Sequence, residues 1–179
     1  RAPPQGIAMP SSSRSDKPRP TVLFAAGGVE VRFEWQGDRW AHEVRFDEPA
    51  GGPSLGPWHS IEGADADGNE RWPASPVLME VHAHPSTGSR AVMGLGLAGR
   101  SHFSASISPD PLVPGAIRFD IAARIHEVPL RLGSTYRSGD TATPLVRVEP
   151  LPNGGATLPR TVEWSYRIGP RGIAPLPGA

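Results

Sequence analysis

The sequence predicts an all-β fold, mostly antiparallel and arranged as a two-sheet β-sandwich, and three observations lead to it. Apolar and polar residues alternate over several short stretches, which is the period of a strand with one buried face. The 179 residues include 21 glycines and 22 prolines, which favour many turns over long helices. Residues 94–99 read Gly-Leu-Gly-Leu-Ala-Gly, and an alternating stretch follows them in place of the helix that a dinucleotide-binding motif must open.

The first predicted element is a hairpin over residues 29–46, whose two alternating arms are joined at Gly37-Asp38. A two-residue loop sets a register that puts apolar residues on one face and matched charges on the other. The predicted pairs are Trp35 with Trp40, Phe33 with His42, Val31 with Val44, Arg32 with Glu43, and Glu30 with Arg45. We therefore expect His42 to be mostly buried and to pack against Phe33.

The remaining strands follow from the same alternation. They are predicted at residues 77–83, 90–97, 102–107, 117–125, 145–149 and 161–168. The Pro/Ser-rich residues 1–20 and the Pro/Gly-rich residues 169–179 are predicted to be disordered tails, so a single sandwich domain spans 21–168. Trp58 and Trp72 lie in proline-rich loops, where we expect them to be exposed.

Composition narrows the classes of function. The formal net charge is zero, so no electrostatic field draws the chain to nucleic acid, and no apolar run is long enough to span a membrane. Without cysteine there is no disulfide, thiolate nucleophile or zinc-thiolate site. We expect no cofactor and a cytoplasmic protein. A leader removed before Arg1 is the alternative to that location.

The best metal candidate is the alternating set Glu80, His82 and His84. Positions two apart on a strand share a face, so one carboxylate and two imidazoles point the same way. Three such ligands plus water make an open zinc or iron site of a hydrolytic kind. The alternative interpretation is an ordinary polar outer face that ends at Pro85. If the second interpretation holds, no structural metal is bound there and the metal-free protein folds fully.

Two loop motifs are weaker. Gly-Pro-Ser-Leu-Gly at residues 52–56 spells a nucleophile elbow around Ser54, but the flanking prolines prevent the strand and helix that an elbow needs. An acidic loop offers oxygen ligands to calcium without the spacing of an EF-hand, and a solvated loop is the alternative. Its candidate ligands are Asp65, Asp67, Asn69 and Glu70.

A candidate ligand-binding set lies on the polar side of two neighbouring predicted strands. It consists of His102, Ser104, Asp120 and Arg124. Such a face can bind a polar ligand or can simply stabilise the sheet. In either case we expect Asp120 to accept a charge-assisted hydrogen bond from Arg118, Arg124 or His102.

Five short motifs resemble those of a group of uncharacterised bacterial proteins of β-sandwich fold, over about residues 33 to 137. The motifs are DRWAHE at 38–43, WPASP at 72–76, GRSHFSAS at 99–106, FDIAAR at 119–124 and LGSTY at 132–136. The resemblance implies no reaction and no ligand. The residues therefore predict a non-catalytic binding or interaction module for a protein or small-molecule partner, with a metal-dependent hydrolase centred on Glu80, His82 and His84 as the alternative.

Overall fold

A computed structural model describes residues 22–47, 56–63, 71–86, 89–139, 144–151 and 157–177. These ranges contain twelve strands and no helix, and therefore none that could cross a membrane. The strands are β1 (Val22–Ala26), β2 (Val29–Trp35), β3 (Trp40–Phe46), β4 (Trp58–Ser60), β5 (Glu80–Ser86), β6 (Ser89–Ala98), β7 (Ser101–Pro109), β8 (Ile117–Ile125), β9 (Ser134–Ser138), β10 (Val146–Val148), β11 (Arg160–Gly169) and β12 (Gly172–Leu176).

The strands form two six-stranded sheets. Sheet A has the order β1-β2-β3-β4-β9-β10, and sheet B has the order β12-β11-β8-β7-β6-β5. Every neighbouring pair is antiparallel. The prediction of an all-β, two-sheet antiparallel sandwich is thus confirmed.

The hairpin formed by β2 and β3 has the predicted register, with Trp35 opposite Trp40 and Phe33 opposite His42. The Gln36 amide donates to the Arg39 carbonyl at 2.8 Å and closes the two-residue loop. Gly37 has a φ of 101°, a left-handed conformation that glycine adopts without strain. The two tryptophan rings meet edge to face at 5.5 Å, so the indoles stabilise the end of the hairpin.

Sheet B shows why alternation predicted its strands so well. Along β7, β8 and β11 alternate side chains are buried between the sheets, and the residues between them face outward. The buried rows are Phe103, Ala105 and Ile107 on β7, Ile117 to Ile125 at every second position on β8, and Val162, Trp164, Tyr166 and Ile168 on β11. Each large side chain buried in this way contributes about 1.5–3 kcal/mol of hydrophobic stabilisation.

The predicted strand at residues 77–83 begins three residues later, at Glu80. The preceding segment, 72–78, is buried and links the two sheets, since the Leu78 carbonyl accepts the Trp40 amide at 2.8 Å. A side chain at Gly96 would lie 2.1 Å from the Val77 carbonyl oxygen, so glycine is needed for this close approach. The expectation that Trp58 and Trp72 are exposed is wrong, because they are 4% and 5% exposed and belong to the core.

The C-terminal end also differs from the prediction. The sequence predicts a tail at residues 169–179, yet Gly169 ends β11 and residues 172–176 form the edge strand β12, which pairs with β11. Five residues that include Pro175 show too little alternation to predict a strand. Proline is compatible with an edge strand because one side of that strand needs no donor. The predicted N-terminal tail, residues 1–20, lies outside the described residues.

Candidate functional site

The predicted ligand-binding residues all lie on the outer face of sheet B. His102 pairs with Arg124 across β7 and β8, and Ser104 pairs with Ala122 beside them. Asp120 lies further along β8, opposite Ser106. The four residues therefore share one face of the sheet but do not converge on a single point.

Asp120 is the centre of a hydrogen-bonded cluster on this face. Arg118 Nε donates to both of its carboxylate oxygens at 2.9 Å, and the Ser165 hydroxyl donates to Oδ1 at 2.6 Å. The prediction of a charge-assisted hydrogen bond to Asp120 is confirmed, with Arg118 as the donor. Arg124 instead donates to the Thr161 hydroxyl at 3.5 Å. We call Arg118, Asp120 and Ser165 the outer polar cluster.

Two adjoining cavities follow the same face, with volumes of about 740 and 550 Å³. Both are lined by Ser104 and Ala122, so they adjoin at these residues, and we call the two cavities together the outer groove. Its floor combines small side chains with charged ones that include Arg118, Asp120, Arg124 and Glu163, and apolar residues form its sides. The small residues of the floor are Ser104, Ser106, Ala122 and Ser165, one side consists of Met93, Leu95 and Leu97, and the other of Leu151, Pro175, Leu176 and Pro177.

The polar residues predicted from the sequence line this groove. Asp120 lines the larger cavity, His102 and Arg124 the smaller, and Ser104 both. The apolar side of the groove lies in solvent, since Met93, Leu95 and Leu97 are 42–49% exposed. A contiguous apolar row of this kind, flanked by hydrogen-bonding groups, is typical of an interaction surface.

The predicted metal ligands lie at the edge strand β5. The side chains of Glu80 and His82 are 64% and 70% exposed, and Nε2 of His82 lies 3.5 Å from Oε2 of Glu80. The side chain of His84 lies outside the described residues. Within the described part of the chain, no group of three or more His, Asp or Glu side chains is placed to hold a metal ion. The metal site stays a prediction.

The loop motifs lie elsewhere. Ser54 and the calcium candidates Asp65, Asp67, Asn69 and Glu70 fall in residues 48–55 and 64–70, which lie outside the described residues.

A second polar group lies inside the sandwich, and the sequence did not predict it. Nε2 of His42 lies 2.9 Å from the Tyr136 hydroxyl, which lies 2.7 Å from the Tyr166 hydroxyl. Trp164 Nε1 donates to the Ser134 hydroxyl at 3.1 Å, and Ser134 also hydrogen-bonds Tyr166. This inner polar chain, which runs from His42 through Tyr136, Tyr166 and Ser134 to Trp164, connects sheet A with sheet B.

Burial keeps the inner polar chain uncharged. It lowers the pKa of His42 to about 3, and it raises the pKa of Tyr136 and Tyr166 above the ordinary value for tyrosine. Aromatic rings enclose the His42 imidazole, which stacks on Phe119 at 5.4 Å and lies 5.5 Å from Phe33. The packing predicted against Phe33 is confirmed, although the residue as a whole keeps partial exposure.

The His42 end of this chain meets a cavity of about 590 Å³ on sheet A, which we call the sheet A pocket. It is lined by Arg32, Glu34, Gln36, Asp38, Arg39, Ala41, His42, Glu43, His59, Ser60, Glu62 and Gly63. The Ser60 hydroxyl accepts the His42 amide at 2.9 Å and hydrogen-bonds the Glu62 carboxyl. Ser60 thereby connects Glu62 to β3, the strand that contains His42, through hydrogen bonds.

Glu62 is the most unusual group in the pocket. Its Oε2 is buried and has no hydrogen-bond partner among the described residues. Burial raises the pKa of the Glu62 carboxyl to about 7, against the opposing effects of the Ser60 hydrogen bond and the Arg39 charge. A buried acid that titrates near neutral pH beside a cavity is a feature of functional sites.

One signal in the sequence could have led to the inner polar chain. His42 and Tyr166 occupy apolar rows, and a buried histidine or tyrosine needs a hydrogen-bond partner. The alternation predicts their burial but not which groups satisfy them. Glu62 carries no comparable signal, because it follows the three-residue strand β4.

Comparison with known proteins gives no match to a protein family, to a curated protein or to a solved structure. The resemblance of the five motifs to a bacterial group therefore stays a prediction. The fold and the two surfaces define the class as an all-β two-sheet domain with a groove on one sheet and an acidic pocket on the other.

Proposed function

We propose that the protein is a non-catalytic binding module whose outer groove takes an extended peptide segment of a partner protein. The observation that carries this proposal is the outer groove, in which small residues lie between charged ones and an exposed apolar side. Large side chains at the outward positions of Ser104, Ser106, Ala122 and Ser165 would have filled this space. Serine and alanine leave room for a ligand and keep hydroxyl groups within its reach.

The spacing of the apolar side favours an extended peptide. Met93, Leu95 and Leu97 stand two residues apart on β6, so their side chains repeat about every 6.6 Å. Alternate side chains of an extended peptide repeat at the same distance, and they can contact this row one by one. The serine hydroxyls of the floor and the charged groups of Arg124 and Asp120 then offer hydrogen bonds to the peptide backbone.

The experiment starts with a library of random peptides displayed on phage and selected against the purified protein. Selected peptides are titrated into the wild-type protein and into Leu95→Asp, with Leu112→Asp as the matched control. Leu112 is 78% exposed on a loop outside the groove, so this control introduces the same charge away from the site. We expect Leu95→Asp to weaken binding by about tenfold or more and the control to leave it unchanged.

A second variant tests the floor of the groove. Ala122→Leu adds volume between the two cavities without changing charge, and we expect it to block the same peptides. Peptides that bind both groove variants as tightly as the wild-type protein would contradict the proposal. If the library yields no binder, small fragments are screened by NMR. Fragments that shift the signals of Ser104 and Ala122 would show that the groove binds a small molecule and not a peptide.

A further inference from the structure

The sheet A pocket contains more acids than bases, and its bases are already engaged. Arg32 lies 2.9 Å from Glu34, and Arg39 bonds to Asp38 through Nε and Nη2. Glu43 pairs with Arg45 at 2.9 Å. Glu62 differs from these acids because it combines a buried carboxyl with an oxygen that has no hydrogen-bond partner within the described ranges.

A buried carboxyl oxygen without a donor is costly in free energy unless a ligand supplies one. Glu62 cannot turn away easily, because the Ser60 hydroxyl holds its carboxyl and His42 in turn holds Ser60. The same carboxyl lies close enough to Tyr136 and Tyr166 to act on them electrostatically. The Glu62 carboxyl therefore lies next to an uncharged, aromatic interior of low dielectric constant. Such surroundings strengthen the attraction between its carboxylate and a cation in the pocket.

We infer that the sheet A pocket binds a small organic cation that presents a primary ammonium group to the Glu62 carboxylate. The ammonium supplies the donor that Oε2 lacks and a charge opposite to that of the pocket. Because Glu34, Asp38 and Glu43 already pair with Arg32, Arg39 and Arg45, ionisation of Glu62 adds one further negative charge to the pocket. The volume of about 590 Å³ suits a small organic molecule. This inference is independent of the peptide proposal, because the two sites lie on different sheets.

Binding of such a cation depends on pH through Glu62. The groups that act on this carboxyl are Ser60, Arg39 and Asp38 at the pocket, and His42, Tyr136 and Tyr166 lie toward the interior. The other charged or titratable groups of the lining are Arg32, Glu34, Glu43 and His59, and His59 lies 3.7 Å from Glu43. An alkylammonium keeps its proton across neutral pH, so the carboxyl is the group whose ionisation limits binding. Affinity should rise as the pH increases towards about 7 and level off above it.

The probe is putrescine, which carries two primary ammonium groups, and 1,4-butanediol is its neutral counterpart of similar shape. Titration calorimetry compares the wild-type protein with Glu62→Gln, and Glu127→Gln removes one negative charge outside the pocket as the control. We expect saturable binding of putrescine but not of the diol. Glu62→Gln should weaken it by about 10- to 100-fold, the range for a lost charge-assisted hydrogen bond. Glu127→Gln should bind as the wild-type protein does.

The pH series provides the second measurement. From about pH 8 to pH 6, the wild-type affinity for putrescine should fall, with a limiting slope of about tenfold per pH unit below the pKa, and in Glu62→Gln it should stay constant. Thermal unfolding of each variant verifies that the fold is retained. The inference is overturned by equal binding of putrescine and diol, by an affinity that Glu62→Gln leaves unchanged, or by no saturation up to about 10 mM putrescine at pH 8.

Discussion

The inner polar chain and the outer polar cluster are both hydrogen-bonded networks, but they lie in opposite surroundings. His42, Tyr136 and Tyr166 are enclosed between the sheets, where burial holds them uncharged. Arg118 and Asp120 keep 30% and 37% of their side chains exposed and form an ion pair in solvent. Position on the inner or outer face of a strand therefore governs whether a polar group acts through its charge or through neutral hydrogen bonds.

The two clusters also differ in what they contribute to stability. Water competes with the outer ion pair and satisfies its members when the pair is broken, so such pairs contribute about 0–1 kcal/mol. Inside the sandwich water cannot replace a lost partner, and the group left behind costs about 1–3 kcal/mol. The interior should accordingly give the strongest responses to substitution and to pH, and the surface the weakest.

The largest expected effect is a loss of stability in acid caused by His42. Its pKa is about 6.5 when unfolded and about 3 in the folded protein. Between these values the unfolded state binds a proton that the folded state does not. The contribution of His42 to stability therefore falls as the pH drops through this range, by about 1.4 kcal/mol per unit and on the order of 5 kcal/mol in all. Urea unfolding at a series of pH values measures it.

Glu62 opposes this effect over part of the range. Its pKa is about 7 in the folded protein and about 4.5 when unfolded, so acidification between these values stabilises the fold. The two contributions nearly cancel from about pH 6.5 to pH 4.5, and the loss begins below that. In Glu62→Gln the loss should begin at about pH 6.5. Parallel profiles for the variant and the wild-type protein would show that Glu62 is not the buried acid described.

The next effect is that of Tyr136→Phe, which removes the hydroxyl between His42 and Tyr166. Both neighbours lose a partner in a place that water does not reach, and we expect a loss of about 2 kcal/mol in the free energy of unfolding. Tyr166→Phe is the matched comparison, because it removes the other hydroxyl of the Tyr136–Tyr166 pair. It too leaves the Ser134–Trp164 hydrogen bond intact. A change of less than about 0.5 kcal/mol for Tyr136→Phe would mean that the chain is not enclosed.

A smaller effect is expected for Asp120→Asn in the outer polar cluster. The variant loses the charge but keeps an oxygen that can accept the Ser165 hydroxyl, so stability should fall by less than about 1 kcal/mol. The peptides selected against the outer groove provide the second measurement. Unchanged stability with lost peptide binding would assign Asp120 to the site, whereas a loss of several kcal/mol with intact binding would assign it to the fold.

The smallest expected effect is that of a chelator. Glu80 and His82 lie exposed on an edge strand, and we expect no structural metal there. Thermal unfolding with and without EDTA should give the same melting temperature. A drop caused by EDTA, reversed by added zinc and absent in His82→Ala, would instead support the metal-dependent alternative.

Local patterns in the chain were enough to predict the fold class, the register of β2 and β3, and the buried rows of β7, β8 and β11. These features depend on alternation within one strand, or on a two-residue turn between two strands. The same patterns placed His102, Ser104, Asp120 and Arg124 on one outward face, because residues of equal parity on paired strands share a side.

The pairing of distant strands and the packing of the sheets determine the features that these local rules do not predict, namely the burial of short strands and the long-range hydrogen-bond partners. The short strands β4 and β12 carry too few residues for a period, and Trp58 became core because β4 lies between β3 and β9. Tyr136 follows His42 by 94 positions, and their hydrogen bond exists because β9 joins sheet A through β4. Alternation determines the face of the sheet toward which a side chain points. Its hydrogen-bond partner depends on which strands pair and how the sheets pack, and a local sequence pattern does not contain this information.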